Sequence, residues 1–192
     1  MHVGRLIYSM SVSLDGFAAT PSGSLDWVQV DEELHSFFND EAREASAFLY
    51  GRRMWELMAD YWPTADTEPE APPVILDFAA IWKATPKIVF SRTLESVGHG
   101  ARLVRDDVVA EVARLKARPG YDMGVGGPTI AAALLRAGLV DDVRVYVQPV
   151  VLGAGLPFLP PLEGRIGLEL LETRTFASDV VFLHYRTVPT TA

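Results

Sequence analysis

Ala47-Phe48-Leu49-Tyr50-Gly51-Arg52-Arg53-Met54-Trp55-Glu56 holds a transition from an apolar run to a helical pattern. An apolar run ends at Gly51, and Met54, Leu57, Met58 and Tyr61 then recur at intervals of three and four residues. That pattern reads as strand, turn, helix. The helix start also carries chemistry. Its first N–H groups have no intrahelical partner and bear a partial positive charge, Gly51 lets an anion approach the backbone, and Arg52 and Arg53 add guanidinium groups suited to phosphate. Taken alone, a glycine turn with two solvated arginines explains the segment equally well.

Two further turns repeat the arrangement. Tyr121 to Val125 reads as a strand that runs into Met123-Gly124-Val125-Gly126-Gly127-Pro128-Thr129, with a helix from Thr129 to Ala137 that stops at Gly138. Closely spaced glycines suit a backbone that approaches a ligand, and Pro128 suits a helix start because it lacks an N–H that would be orphaned there. The spacing is not G-x-G-x-x-G and no acidic ribose-binding position follows, which excludes a Rossmann fingerprint. Lys87 to Phe90 is a third strand, followed by Ser91-Arg92-Thr93, where two hydroxyls and a guanidinium could hold a phosphate monoester or simply form a surface turn. Ligands of open α/β sheets sit at the C-terminal ends of strands, and three such turns match a molecule with a pyrophosphate and one further phosphate.

Outward from these units, Arg5 to Leu14 reads as a strand closing on Asp15-Gly16. Asp31-Glu32-Glu33 opens a helix with Leu34, Phe37, Phe38, Ala42 and Ala45 on one face. Pro63 to Pro73 is an acidic, proline-rich loop, and Val74 to Trp82 and Val108 to Lys116 are helical. Val143 to Leu152, Leu168 to Thr175 and Val180 to Val188 are strands with no room for helices between them, so this portion is expected to be antiparallel or hairpin-like. The sum is a single α/β domain over residues 1–192: a mixed, mostly parallel central sheet with helices on both faces and an antiparallel C-terminal portion.

Composition narrows the function. The chain is 49% hydrophobic and 22% charged, the balance of a globular protein. A net charge of −8 argues against a nucleic-acid partner. With no cysteine and four scattered histidines, no metal site is expected. Met1 to Leu6 enters a strand-like run without a leader pattern, and no apolar stretch reaches the ~18–20 residues of a membrane span, so a cytoplasmic location with no membrane association is expected.

Four motifs, in order, carry a resemblance: Ser11-Val12-Ser13-Leu14-Asp15-Gly16-Phe17-Ala18; Gly51 to Glu56; Val125-Gly126-Gly127; and Leu139-Val140-Asp141-Asp142 with Pro149-Val150-Val151-Leu152-Gly153-Ala154-Gly155. Together they resemble the dihydrofolate-reductase-like family, in the branch of the C-terminal reductase domain of the bifunctional riboflavin-biosynthesis deaminase/reductase and its stand-alone relatives. The resemblance implies NADPH as cofactor. Gly51, Arg52 and Arg53 would lie at the pyrophosphate and the adenosine 2′-phosphate, with Ser91 and Arg92 flanking the adenosine phosphate. Gly126 and Gly127 would approach the pyrophosphate and nicotinamide through a cis peptide, with Gly124, Val125, Pro128 and Thr129 completing that turn. Asp15 and Gly16 would edge the nicotinamide, although Asp15 also fits an ordinary turn.

The resemblance further implies hydride transfer to a C=N or C=O carbon of a small-molecule substrate. The leading candidate is a ribosylaminopyrimidine of riboflavin biosynthesis, as in 5-amino-6-(5-phosphoribosylamino)uracil reductase activity; a dihydrofolate or pterin reductase and a non-catalytic dinucleotide-binding module are the alternatives. Met54 and Ala131 depart from the folate-reductase pattern of a threonine and an aromatic residue. Glu33, a few residues past Trp27, is the candidate proton-relay acid, with Asp31 second, although the helix dipole alone accounts for acidic residues there. Trp27, Phe37 and Trp55 are the candidate substrate wall, with Tyr61 and Trp62 as further aromatics. The zinc ligands of a deaminase half are absent, and apolar Val150 to Pro161 suggests a homodimer.

Overall fold

Side chains alternating along one strand sort the chain into layers. In β3 (Ala47–Gly51), Ala47 and Leu49 pack in one hydrophobic cluster, while Phe48 and Tyr50 pack in another on the opposite face. This two-faced burial is what a strand covered by helices on both sides requires. The computed structural model describes residues 3–162 and 164–189.

The elements run β1 (Leu6–Ser13), β2 (Phe17–Ala19), α1 (Glu32–Arg43), β3, α2 (Arg52–Tyr61), α3 (Pro73–Ala84), β4 (Lys87–Phe90), β5 (Arg102–Val104), α4 (Val108–Lys116), β6 (Met123–Gly126), α5 (Pro128–Arg136), β7 (Asp142–Gln148), β8 (Leu156–Pro157), β9 (Gly167–Thr175) and β10 (Val181–Val188). One sheet has the order β5-β4-β3-β6-β1-β7-β10-β9, and β2 pairs with β8 apart from it. Pairing is parallel from β5 through β7, and β10 runs antiparallel to both β7 and β9. The fold is therefore the mixed, mostly parallel sheet that the sequence suggests. The strand at Val143 is a correction: β7 is parallel to β1, because a chain segment that leaves α5 re-enters the sheet at its same end.

Helices α4 and α5 cover one face through Val112, Leu115, Ile130, Ala131, Leu134 and Leu135. The other face carries α1 against β7 and β10 through Leu34, Tyr146 and Phe182, and α2 and α3 against β3 and β4 through Trp55, Trp82, Phe48 and Val89. Ala131 is fully buried in the first of these layers, where a larger aromatic side chain would overpack α5 against the sheet.

Two features position the site. Strands β1 and β6 pair only from Leu6 to Tyr8, whereas β1 continues beside β7 as far as Ser13, so β1 parts from β6 toward their C-terminal ends. Gly155 has its own constraint: a Cβ there would lie 2.1 Å from the Ala19 carbonyl oxygen, so the glycine lets β8 close on β2. In the neighbouring Val150 to Pro161 segment, Phe158 is buried and stacks on Tyr8 at 4.6 Å, while Val151 and Leu159 are exposed.

Candidate active site

Of the five α-helix starts among the described residues, that of α3 follows Pro72 and has no side-chain cap, and the other four divide into two kinds. Asp31 caps α1 by accepting from Leu34 N at 2.7 Å, and Asp107 caps α4 by accepting from Val109 N and Ala110 N at 2.9 and 3.2 Å. Helices α2 and α5 instead begin after Gly51 and Gly127, with no side-chain cap. Their first-turn N–H groups are left for another acceptor. These two helices follow adjacent parallel strands, and a Cβ on Gly51 would stand 3.7 Å from Ile130 Cγ2 of α5, so the two open starts lie side by side.

The third turn joins them. Arg52 Nη1 donates to Thr93 Oγ1 at 3.2 Å, while its Nε pairs with Glu56 Oε1 at 2.7 Å. Ser91 Oγ accepts from Thr93 N and Leu94 N, and Arg105 donates to the Glu95 carbonyl at 2.8 Å, which fixes the loop after β4. Arg52 is thus a bridge between two turns. Arg53 and Arg92 are exposed and form no ion pair among the described residues.

At the glycine pair, Gly127 N donates to Met10 Sδ at 3.3 Å, a weak acceptor that a stronger one would displace. Met54 lies over the pair: a Cβ on Gly126 would meet Met54 Cγ at 3.4 Å, and one on Gly127 would meet Met54 Cβ at 3.6 Å. The Gly126–Gly127 peptide, expected to be cis, is trans, as is every described peptide bond. Gly127 makes the turn through a φ of +104°, a conformation that glycine alone adopts without strain.

Beside the glycines a cavity of about 330 Å³ opens between the sheet and α1, α2 and α3. Its floor is Ile7, Ser9, Phe48, Tyr50, Gly124 and Gly126, and its helical wall includes His35, Phe38, Met58, Trp62 and Phe78. One end is polar. Arg144 Nη1 pairs with Glu41 Oε1 at 3.0 Å, and Tyr146 OH donates to the other Glu41 oxygen. Burial raises the Glu41 pKa, against the opposing pull of Arg144 and the Tyr146 hydroxyl.

The RibD C-terminal domain model matches residues 5–182. The chain belongs to the RibD C-terminal domain family. It is 35% identical over 188 residues to the uncharacterized protein YyaP of Bacillus subtilis, covering 94% of each chain. A solved structure from Shewanella sp. PV-4, described as a riboflavin biosynthesis protein, superposes with a TM-score of 0.75 at 20% identity, over 96% of this chain and 99% of that one. Dihydrofolate reductase from Enterococcus faecalis, complexed with NADP(H), superposes with a TM-score of 0.65 at 14% identity, over 97% and 98%. The fold of this RibD-type domain is accordingly that of dihydrofolate reductase.

Within that fold, several side chains expected at the site lie elsewhere. Glu33 is on the outer side of α1, where it accepts from Arg174 Nη2 at 2.6 Å and Ala177 N at 3.4 Å, and it does not line the cavity. Asp31 is the α1 cap, and the Leu34 N–H holds its pKa below the usual carboxylate range. Phe37 packs edge-on against Phe176 and Phe182, at 5.4 and 5.0 Å, in the core under β10. Trp55 is buried and stacks on Trp82 at 6.0 Å. Trp27 donates to the Ser24 carbonyl at 3.2 Å, outside the cavity lining.

Asp15 is a turn residue. Its carboxylate accepts from Ser13 Oγ, Leu152 N and Gly153 N at 2.7, 3.1 and 2.7 Å, ties the turn before Gly16 to the chain after β7, and has its pKa lowered chiefly by the serine. Val125 and Pro128 are buried, Thr129 is exposed at the start of α5, and Gly124 belongs to the cavity floor. The cavity's own side chains on α1, His35 and Phe38, sit one residue beyond Leu34 and Phe37, which anchor the core cluster. A turn of about 100° per residue separates these two faces, and hydrophobic spacing alone does not tell which of them meets a cavity.

Proposed function

We propose that this RibD-type domain is an NADPH-dependent reductase that acts on a small heterocyclic or carbonyl/imine substrate held under α1. The observation that carries this is the pair of uncapped helix starts on adjacent strands, set against a cavity whose floor contains Gly124 and Gly126. The donor set fits a dinucleotide. First-turn N–H groups of α2 and α5 suit a pyrophosphate, and Gly126 leaves space that a side chain would take. Ser91, Thr93, Arg53 and Arg92 suit a further phosphate, with Arg52 holding their turn in place through Thr93.

When bound, the nicotinamide supplies the hydride. The chain supplies placement: β1 and β6 part beside the glycine pair, and the aromatic walls around Phe38, Phe48, Trp62 and Phe78 exclude water from a substrate in the cavity. Glu33 takes no part in proton delivery in this scheme. The family suggests an aminopyrimidine ring as the substrate class, carried in riboflavin biosynthesis by a ribosylaminopyrimidine.

The test is to follow NADPH oxidation by the purified protein against pyrimidine, pterin and small carbonyl compounds. Turnover of at least one, with NADPH preferred to NADH, is expected. Tight NADPH binding without turnover of any would replace the reductase with a binding module, and absence of NADPH binding would reject both.

A further inference from the structure

The cavity under α1 holds a histidine whose tautomer the surrounding residues dictate. Asn39 is buried on α1, and its Nδ2 donates to the Val74 carbonyl at 2.9 Å and to Asp77 Oδ2 at 2.7 Å. Both partners are acceptors only, which fixes the orientation of the amide. The Asn39 Oδ1 atom therefore faces His35 Nδ1, 3.1 Å away, and requires that nitrogen to be the donor. Arg43 pairs with Asp77 in turn and holds the far end of the chain of contacts. In the neutral ring, Nε2 is left as an acceptor, with no hydrogen-bond partner among the described residues. Phe38, Trp62 and Phe78 stand edge-on around the imidazole at 6.4, 6.0 and 5.9 Å and restrict its rotation.

The charges around the cavity give the second half of the case. Its two lining arginines already hold carboxylates: Arg144 pairs with Glu41 through Nη1, leaving its buried Nε without a hydrogen-bond partner among the described residues, and Arg5 pairs with Asp122 and Asp142 at 3.0 and 3.2 Å. Glu44 adds another carboxylate to the lining. A phosphate entering here would have to break a partly buried ion pair and face the carboxylate left behind, a cost that an uncharged ring avoids.

We infer that the cavity binds a planar, uncharged heterocycle bearing an N–H group, which donates to His35 Nε2, and that it discriminates against the phosphorylated ribosyl forms of such rings. The assignment rests on the reductase reading for its reaction but not for binding. His35 is a specificity-determining residue in this account, and Asn39 is the residue that positions it.

Calorimetric titration of the purified protein with 6-aminouracil and with 6-(5-phosphoribosylamino)uracil tests it, with NADPH titrated separately. The unphosphorylated base should bind about tenfold or more tightly than the phosphoribosyl form. His35→Leu should weaken 6-aminouracil about tenfold, and His35→Gln, which keeps a polar group, should recover most of that loss. All three proteins should bind NADPH equally. Tighter or equal binding of the phosphoribosyl compound, unchanged 6-aminouracil affinity in His35→Leu, or no 6-aminouracil binding by the wild-type protein would each overturn the assignment. Retained 6-aminouracil binding with no NADPH binding would instead sink the reductase reading and leave the cavity assignment standing.

Discussion

The two ends of the parallel sheet are built on opposite plans. At the N-terminal ends of the strands, side chains close the structure. Arg5 donates to Asp122 and Asp142, Asp141 accepts from Leu6 N at 2.7 Å and pairs with Lys116, and Thr187 donates to the Val140 carbonyl at 2.8 Å. At the C-terminal ends, backbone donors stay open behind Gly51 and Gly127, and Arg53 and Arg92 stand without ion pairs among the described residues. The difference separates two kinds of polar group within one motif set. Asp141 and Asp142 belong to the same motif set as Gly51 and Gly127, yet they fasten the opposite ends of the strands.

Breaking the closed end should have the largest effect. Asp142 is 1% exposed, so Asp142→Ala should cost about 3 kcal/mol in urea unfolding, because Arg5 and His184 lose a buried partner, while NADPH affinity in the folded protein stays unchanged. A parallel loss of cofactor affinity would show that the two ends are not independent. At the open end, Gly51→Ala should do the reverse. A Cβ there meets the Ile130 side chain at 3.7 and 3.8 Å, ordinary contact distances, and φ is −77°, so stability should hold, while NADPH binding should fall about tenfold because the methyl group blocks approach to the helix start. Equal affinity in this variant would remove Gly51 from the cofactor site.

The smallest effect expected is on the outer edge. Hydrogen bonds and charge from Arg114 and Arg102 lower the Glu111 pKa to about 2 and tie α4 to β5. A carboxyl whose folded pKa lies below its unfolded value contributes stability above the unfolded value, and that contribution is lost as pH falls toward 2. Glu111→Gln should therefore cost about 1 kcal/mol at neutral pH and flatten the fall in thermal midpoint between about pH 4.5 and pH 2. An unchanged acid limb would remove Glu111 from the pH dependence.

Much of this architecture is legible locally. The turns at Gly51 and Gly127 are readable because strand end, glycine and helix start are sequence neighbours, and a backbone donor needs no distant partner to be recognised. The missed strands are those without local signal: β5 is three residues long at the sheet edge, and β2 and β8 recognise each other across the chain. The same limit governs the cavity. Glu33 and Phe37 have the right residue types and spacing, but the rotation of α1 gives Phe37 to the core and Glu33 to Arg174. His35 becomes visible as a binding group only through Asn39 and Asp77, and Asp77 comes from a different helix.

The NADPH site proposed at the open end of the sheet is tested by the dissociation constants of NADPH and of NADH for the wild-type protein, Arg53→Ala and Arg92→Ala. The wild type should bind NADPH more tightly than NADH, and removing either exposed guanidinium should cost about tenfold in NADPH affinity and little in NADH affinity. Equal losses for the two cofactors, or wild-type affinity for neither, would contradict it.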